Sequence, residues 1–204
     1  MLHPTPKLKE TPSQTAGPYV GIGMTPNHAE IGGVFAEDLG STMIFGEVAG
    51  ERITLAVRVI DGTDAPVTDA VVEIWQADAA GRFVQPMSPD NHSVPPFTGW
   101  GRQPANAEGV TTFKTVKPGP VPGPDGRMQA PHVLVWIVAR GINIGLQTRL
   151  YFEDEAAANG ADFVLNRIPD PRRRQTLVAR KEDGGHYVLD VRLQGENETV
   201  FFDV

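Results

Sequence analysis

The sequence predicts an all-β fold: an antiparallel β-sandwich of about seven to nine strands, preceded by an extended N-terminal arm. Three observations lead there. Short runs of alternating apolar and polar residues recur between polar turns, the period-two mark of half-buried strands. The 22 glycines and 18 prolines are spread without low-complexity repeats, which favours many turns over long helices. The longest strongly apolar stretch, Val133 to Ala139, has the length of a buried strand and is far too short to span a bilayer.

Taken in order, residues 1–45 show neither period. Pro4, Pro6, Pro12, Gly17, Pro18, Gly21, Gly23, Pro26, Gly32 and Gly33 interrupt helix and ladder alike, so this arm is expected to be either disordered or ordered by lying against another surface. The core domain is expected over 46–204. Ile53, Leu55, Val57 and Val59 alternate with Thr54, Ala56 and Arg58 and end at Asp61-Gly62, a half-buried strand. Val71 to Gln76 and Thr111 to Val116 give two more. His132 to Ala139, almost continuously apolar, reads as a central strand covered on both sides. Leu146 to Phe152 follows it. Asp154 to Asn159, with an acidic start, three alanines and Gly160 as a stop, predicts one or two helical turns. Leu177 to Ala179 and Tyr187 to Leu193 flank Glu182-Asp183-Gly184-Gly185 as a hairpin, and Thr199 to Phe202 supplies a closing strand.

Composition narrows the function classes. A chain of 204 residues, 40% hydrophobic, suits one globular domain with a real core. A net charge of -7 with no basic stripe argues against nucleic acid and against an anionic membrane surface. With no cysteine, disulfides, zinc-thiolate sites and thiol nucleophiles are excluded. The N-terminal Met1-Leu2-His3-Pro4 lacks the apolar run of a signal peptide, so a cytoplasmic location is expected.

Few residues carry chemistry on their own. His132, alone in an apolar run, reads as a core histidine satisfied by a hydrogen bond. Arg140 reads as a strand-end cation paired with Glu153 or Asp154. Arg172-Arg173-Arg174 reads as a solvated turn or an inter-subunit ion-pair patch, and Trp75, Trp100 and Trp136 as core or interface anchors. A metal set joining His132 to His92 is the weakest functional reading.

Several motifs in order lift some of these readings. They are Thr11-Pro12-Ser13-Gln14-Thr15-Ala16-Gly17-Pro18-Tyr19, Val72-Glu73-Ile74-Trp75-Gln76-Ala77-Asp78 and Thr115-Val116-Lys117-Pro118-Gly119. Ala130-Pro131-His132, Arg140-Gly141-Ile142-Asn143-Ile144, Leu150-Tyr151-Phe152 and the closing Gln194 to Asp203 complete the set. Together they resemble the intradiol ring-cleaving dioxygenases over nearly the whole chain from Thr11 onward.

The resemblance implies a β-sandwich enzyme whose ferric iron is held by two tyrosinates and two histidines, and which cleaves a catechol between its hydroxylated carbons with O2. Against that ligand set the chain departs at three positions: Val121 follows Lys117-Pro118-Gly119-Pro120 where a tyrosine is expected, the loop from Gly81 to Trp100 holds no tyrosine, and Leu134 replaces the second histidine. The implied role is therefore a subunit with no catalytic and no metal-ligating residue of its own. It would serve protocatechuate cleavage to 3-carboxy-cis,cis-muconate by lining the site of an iron-binding β chain in an αβ hetero-oligomer. Carried over by motif, its substrate-lining residues are Thr15, Gly17, Pro18 and Tyr19 of the arm and Arg140. The alternative is a non-catalytic β-sandwich binding module that kept the fold and lost the chemistry.

Overall fold

The computed structural model describes residues 15–84 and 94–203. Residues 1–14 of the arm, and His92 of the weakest metal reading, lie outside the described residues.

Ten strands and three short helices make up the described chain: α1 (Pro18–Met24), β1 (Arg52–Ile60), β2 (Val71–Gln76), β3 (Trp100–Pro104), β4 (Val110–Val116), β5 (Val121–Pro122), β6 (Met128–Gln129), β7 (His132–Val138), β8 (Leu146–Phe152), α2 (Ala156–Ala161), α3 (Pro171–Gln175), β9 (Val178–Glu182) and β10 (His186–Arg192). Eight strands form one sheet in the order β3-β2-β7-β8-β9-β10-β1-β4, and β5 pairs with β6 apart from it. The all-β expectation holds, with one correction. The sheet is mixed, because β1 runs parallel to β10 and β8 parallel to β9. β1 and β10 are far apart in sequence, and β8 and β9 are consecutive strands joined by the helical 153–177 connection; period-two patterning does not say which strands pair or in which direction.

The sheet curls so that its two halves share one core. Leu55, Val57 and Val59 of β1, Phe113 of β4 and Tyr187, Leu189 and Val191 of β10 meet Val72, Ile74, Val133, Val135, Ile137, Leu150 and Phe152 from the other half. At about 25 cal/mol per Å² of apolar surface removed from water, this shared face is the main source of the fold's stability. A second, smaller cluster of Ala130, Tyr151, Leu165 and Leu177 fills the space under the 156–168 region.

β7 departs from the expectation of cover on both faces. Val133, Val135 and Ile137 are buried, but Leu134 and Trp136 on the opposite face are only half-buried. Thr199 to Phe202 is likewise not a strand; it makes a single bridge, Gln147 with Phe202. The β9–β10 hairpin forms as expected around Gly184 and Gly185, both at positive φ. The 154–159 helical turns appear as a 3-10 turn at Glu153–Glu155 leading into α2.

Residues 15–45 lie along the body. The Arg102 side chain donates to the Met24 carbonyl at 3.2 Å, Gln103 to the Ser41 carbonyl at 2.9 Å, and Met43 is buried in the main core. No helix among the described residues is long and apolar enough to cross a membrane.

Candidate functional site

The first place of interest is the turn after β7. Arg140 and Gly141 leave the strand there, with Gly141 at φ 89°, a conformation that favours glycine. The arm is fastened to this turn. Thr15 Oγ1 accepts the Gly141 N–H at 2.7 Å, Ala16 N–H donates to the Ile142 carbonyl at 3.2 Å, and Ala16 bridges Arg140 in parallel. Gly17 then caps α1 in an extended conformation, and Pro18 opens the helix, where its missing N–H costs nothing. Tyr19 stands out from α1, 82% exposed.

Arg140 and Gly17 line one cavity of ≈ 250 Å³ together with Val20, Thr25, His28 and Asp69. Thr15, Gly17 and Arg140 are therefore brought together at one end of the sheet, while the exposed Tyr19 is not among the residues that line this cavity. Arg140 does pair with a carboxylate, but the partner is Asp69 and not Glu153 or Asp154: Nε donates to Asp69 Oδ2 at 3.1 Å. Antiparallel pairing sets Val71 opposite Val138, and continuing that register by two residues sets Asp69 opposite Arg140. Nothing local in the sequence signals Asp69, since its place depends on which strand pairs with β7.

The second place surrounds His132. On the open face of β7, His132 stands opposite Tyr151 and Leu134 stands between Trp75 of β2 and Arg149 of β8. Trp75, expected as a core or interface anchor, is 46% exposed here and packs on Phe83 at 4.7 Å between ring centroids. Val121 is buried on β5, paired with Gln129. Arg149 donates to Gln129 Oε1 at 2.8 Å and to the Tyr151 hydroxyl at 3.3 Å. Asp162, fully buried, accepts the N–H groups of Ala130, Val164 and Leu165 and the Tyr151 hydroxyl, which fixes the approach to Pro131-His132.

His132 Nδ1 lies 2.7 Å from the Ala130 carbonyl. A carbonyl can only accept, so Nδ1 carries the proton. Burial, then the charge of Arg149, push the imidazole down to about 4, so it is neutral at physiological pH. Burial likewise pushes the Tyr151 phenol up to about 12, so it is protonated.

These residues do not fit a ferric ion. Fe(III) prefers several hard anionic donors. Here one imidazole stands opposite a protonated phenol, Leu134 puts hydrocarbon two residues along the same face, the buried Val121 of β5 offers no donor, and the Arg149 guanidinium beside the phenol adds a fixed positive charge. Among the described residues, no three His, Asp or Glu side chains converge. Within the chain Arg172 pairs with Asp170 and Arg173 with Glu198, while Arg174 donates to the carbonyls of Ile168 and Pro169.

Comparison with known proteins gives these two places a context. The family model described as Dioxygenase matches residues 25–195. The protocatechuate 3,4-dioxygenase alpha chain of Pseudomonas putida is 44% identical over 204 residues, spanning 98% of this chain and 99% of its own. The beta chain of the Burkholderia cepacia enzyme is 33% identical over 184 residues, 80% of this chain and 77% of that one. In fold, the dioxygenase domain of a carbohydrate-binding fusion protein from Streptomyces sp. SirexAA-E aligns at a TM-score of 0.55 over 78% of this chain and 88% of its own, with 24% identity. On that full-length similarity the chain belongs to the intradiol dioxygenase family.

Proposed function

We propose that this chain is the iron-free, α-type subunit of a protocatechuate 3,4-dioxygenase, in which an iron-binding β-type partner converts protocatechuate and O2 to 3-carboxy-cis,cis-muconate. One observation carries the reading: the expected ligand positions 121 and 134 hold Val121 and Leu134, with the Arg149 guanidinium opposite Leu134, while the arm and Arg140 are fastened together at the end of the same sheet. The likeness to named α and β chains supports a pairing of two related folds.

In this reading the 1–45 arm docks on the partner, and Thr15, Gly17, Pro18, Tyr19 and Arg140 wall its substrate pocket. Gly17 brings backbone close without a side chain, and Pro18 fixes the turn into α1. Arg140, 71% exposed in its side chain, supplies positive potential for the carboxylate of the aromatic acid. The chain performs no bond-breaking step itself; it binds, orients and excludes water. A cysteine-free composition suits the reducing cytoplasm in which we place it.

The test is oxygen uptake with protocatechuate by the β-type partner alone and by the co-expressed pair. Turnover that requires this chain supports the reading. Full turnover without it, or a stable monomer that never associates, returns the chain to the class of free-standing binding modules.

A further inference from the structure

Asp69 has no assigned role, and its geometry is specific. It sits one residue before the buried Ala70 that leads into β2, across the extended β2–β7 register from Arg140. Its Oδ2 accepts from Nε of Arg140 at 3.1 Å. That uses the inner edge of the guanidinium and leaves the terminal nitrogens without another hydrogen bond among the described residues. The side chains are 71% and 40% exposed, so solvent screens the pair and its worth to folding is small. Its consequence is orientation. The Nε contact biases a long, flexible arginine toward the cavity it shares with Gly17, where the arm crosses at Ala16.

We propose that Asp69 is a positioning and specificity-determining residue, which holds Arg140 so that its terminal N–H groups meet the carboxylate of an anionic aromatic substrate. The inference rests on the proposed role of Arg140 in the partner's site. A carboxylate that must first immobilise a free arginine loses binding free energy to the ordering of that side chain, and Asp69 has already done the ordering. Two opposed effects then separate by sign. If orientation dominates, loss of Asp69 weakens binding of a carboxylated substrate. If Asp69 acts merely as a nearby negative charge, its loss strengthens that binding.

The experiment uses the assembled protein with its β-type partner and two probes, protocatechuate and catechol, the second lacking the carboxylate. Asp69→Ala is expected to raise KM for protocatechuate about three- to tenfold, with kcat changed less and catechol kinetics unmoved. Asp69→Asn keeps an oxygen that accepts from Nε and is expected to restore most of the loss. In an Arg140→Ala background, Asp69→Ala is expected to add nothing. A KM for protocatechuate that falls or stays level in Asp69→Ala overturns the proposal, as does an equal loss with catechol, which marks a structural defect. The underlying reading fails separately: Arg140→Ala with unchanged protocatechuate kinetics removes Arg140 from the pocket and the proposal with it. Arg140→Ala impaired beside a silent Asp69→Ala leaves Arg140 in place and removes Asp69 alone.

Discussion

Leu134 and Arg149 stand directly opposite each other across β7 and β8, on the face that also carries His132 and Trp75. Replacing the leucine by histidine would place a second imidazole two residues from His132 on one face, the spacing of a metal pair. The guanidinium would remain beside it, held by Gln129 and the Tyr151 hydroxyl. Leu134→His alone is therefore expected to leave the chain colourless and substoichiometric in iron after incubation with Fe(III), since repulsion and the missing anionic donors both persist. Iron analysis and the visible absorption of ferric phenolate read this directly. Tight, coloured, equimolar iron would show that donor number and not local charge was the obstacle.

The imidazole of His132 gives a pH signature. Its native value of about 4 lies below the usual 6.5 of an unfolded histidine. Above pH 6.5 both states are neutral and the group adds no pH dependence. Between 6.5 and 4 the unfolded chain binds a proton that the folded chain refuses, so stability falls as pH falls, by about 3 kcal/mol across the window. Denaturant unfolding from pH 7 to pH 4.5 should show that slope, and His132→Phe should remove it. A ring resonance of His132 titrating near 6.5 would refute the assignment.

How much of this was legible in the sequence depends on the range of the interaction. β1, β4 and β10 declare themselves because Ile53 to Val59, Thr111 to Val116 and Tyr187 to Leu193 alternate over a core face. β3 does not: Trp-Gly-Arg-Gln-Pro has no alternation, and it is held by Arg102 on Glu73 at 2.7 Å and by Gly101 packing against Met43 and Phe113. α1 was hidden by Gly21 and Gly23, although Pro18 after Gly17 is a start signal. The missing donors at Val121 and Leu134 are visible residue by residue, whereas Arg149 and Asp69 become neighbours of the two places through strand register alone. The expected carboxylates for Arg140 are used elsewhere: Asp154 takes Lys117 and Lys181, and Glu153 takes the Lys181 N–H.

Lys117 ties the motif that precedes Val121 to the far half of the sheet. Its side chain is 13% exposed, and its ammonium meets Asp154 at 3.0 Å and Glu155 at 2.7 Å, over the rings of Phe152 and Tyr187. Burial works to raise the Asp154 carboxyl, but hydrogen bonds from Lys181, Lys117 and Tyr187 outweigh it and bring the group down to about 2. That stability is present above pH 4 and lost as pH falls toward 2, about 2 kcal/mol in all. Lys117→Met is expected to cost roughly 1–3 kcal/mol at neutral pH, with the two carboxylates left short of a partner. It should also move acid unfolding to higher pH. An unchanged acid midpoint would mean that Lys181 and Tyr187 suffice to hold Asp154.

Gly81 fixes the loop on the other side of that motif. It adopts φ 74°, and a Cβ there would collide with the Pro120 carbonyl, the residue before Val121. The surrounding loop is already committed: the Asp78 carbonyl accepts the N–H of Gly81 at 3.0 Å and of Gly119 at 2.9 Å, and Asp78 Oδ1 accepts those of Ala80 and Arg82. Neither segment can retreat without breaking these bonds. Gly81→Ala is therefore expected to cost about 1–3 kcal/mol from left-handed backbone strain alone, and more from the collision. Thermal unfolding of the assembled protein should report a Tm lower by several degrees. Because the Arg140 turn lies on different strand ends, oxygen uptake with protocatechuate well below the new Tm should keep its KM. A raised KM at unchanged Tm would place the Gly81–Pro120 contact in the substrate pocket instead of in the scaffold.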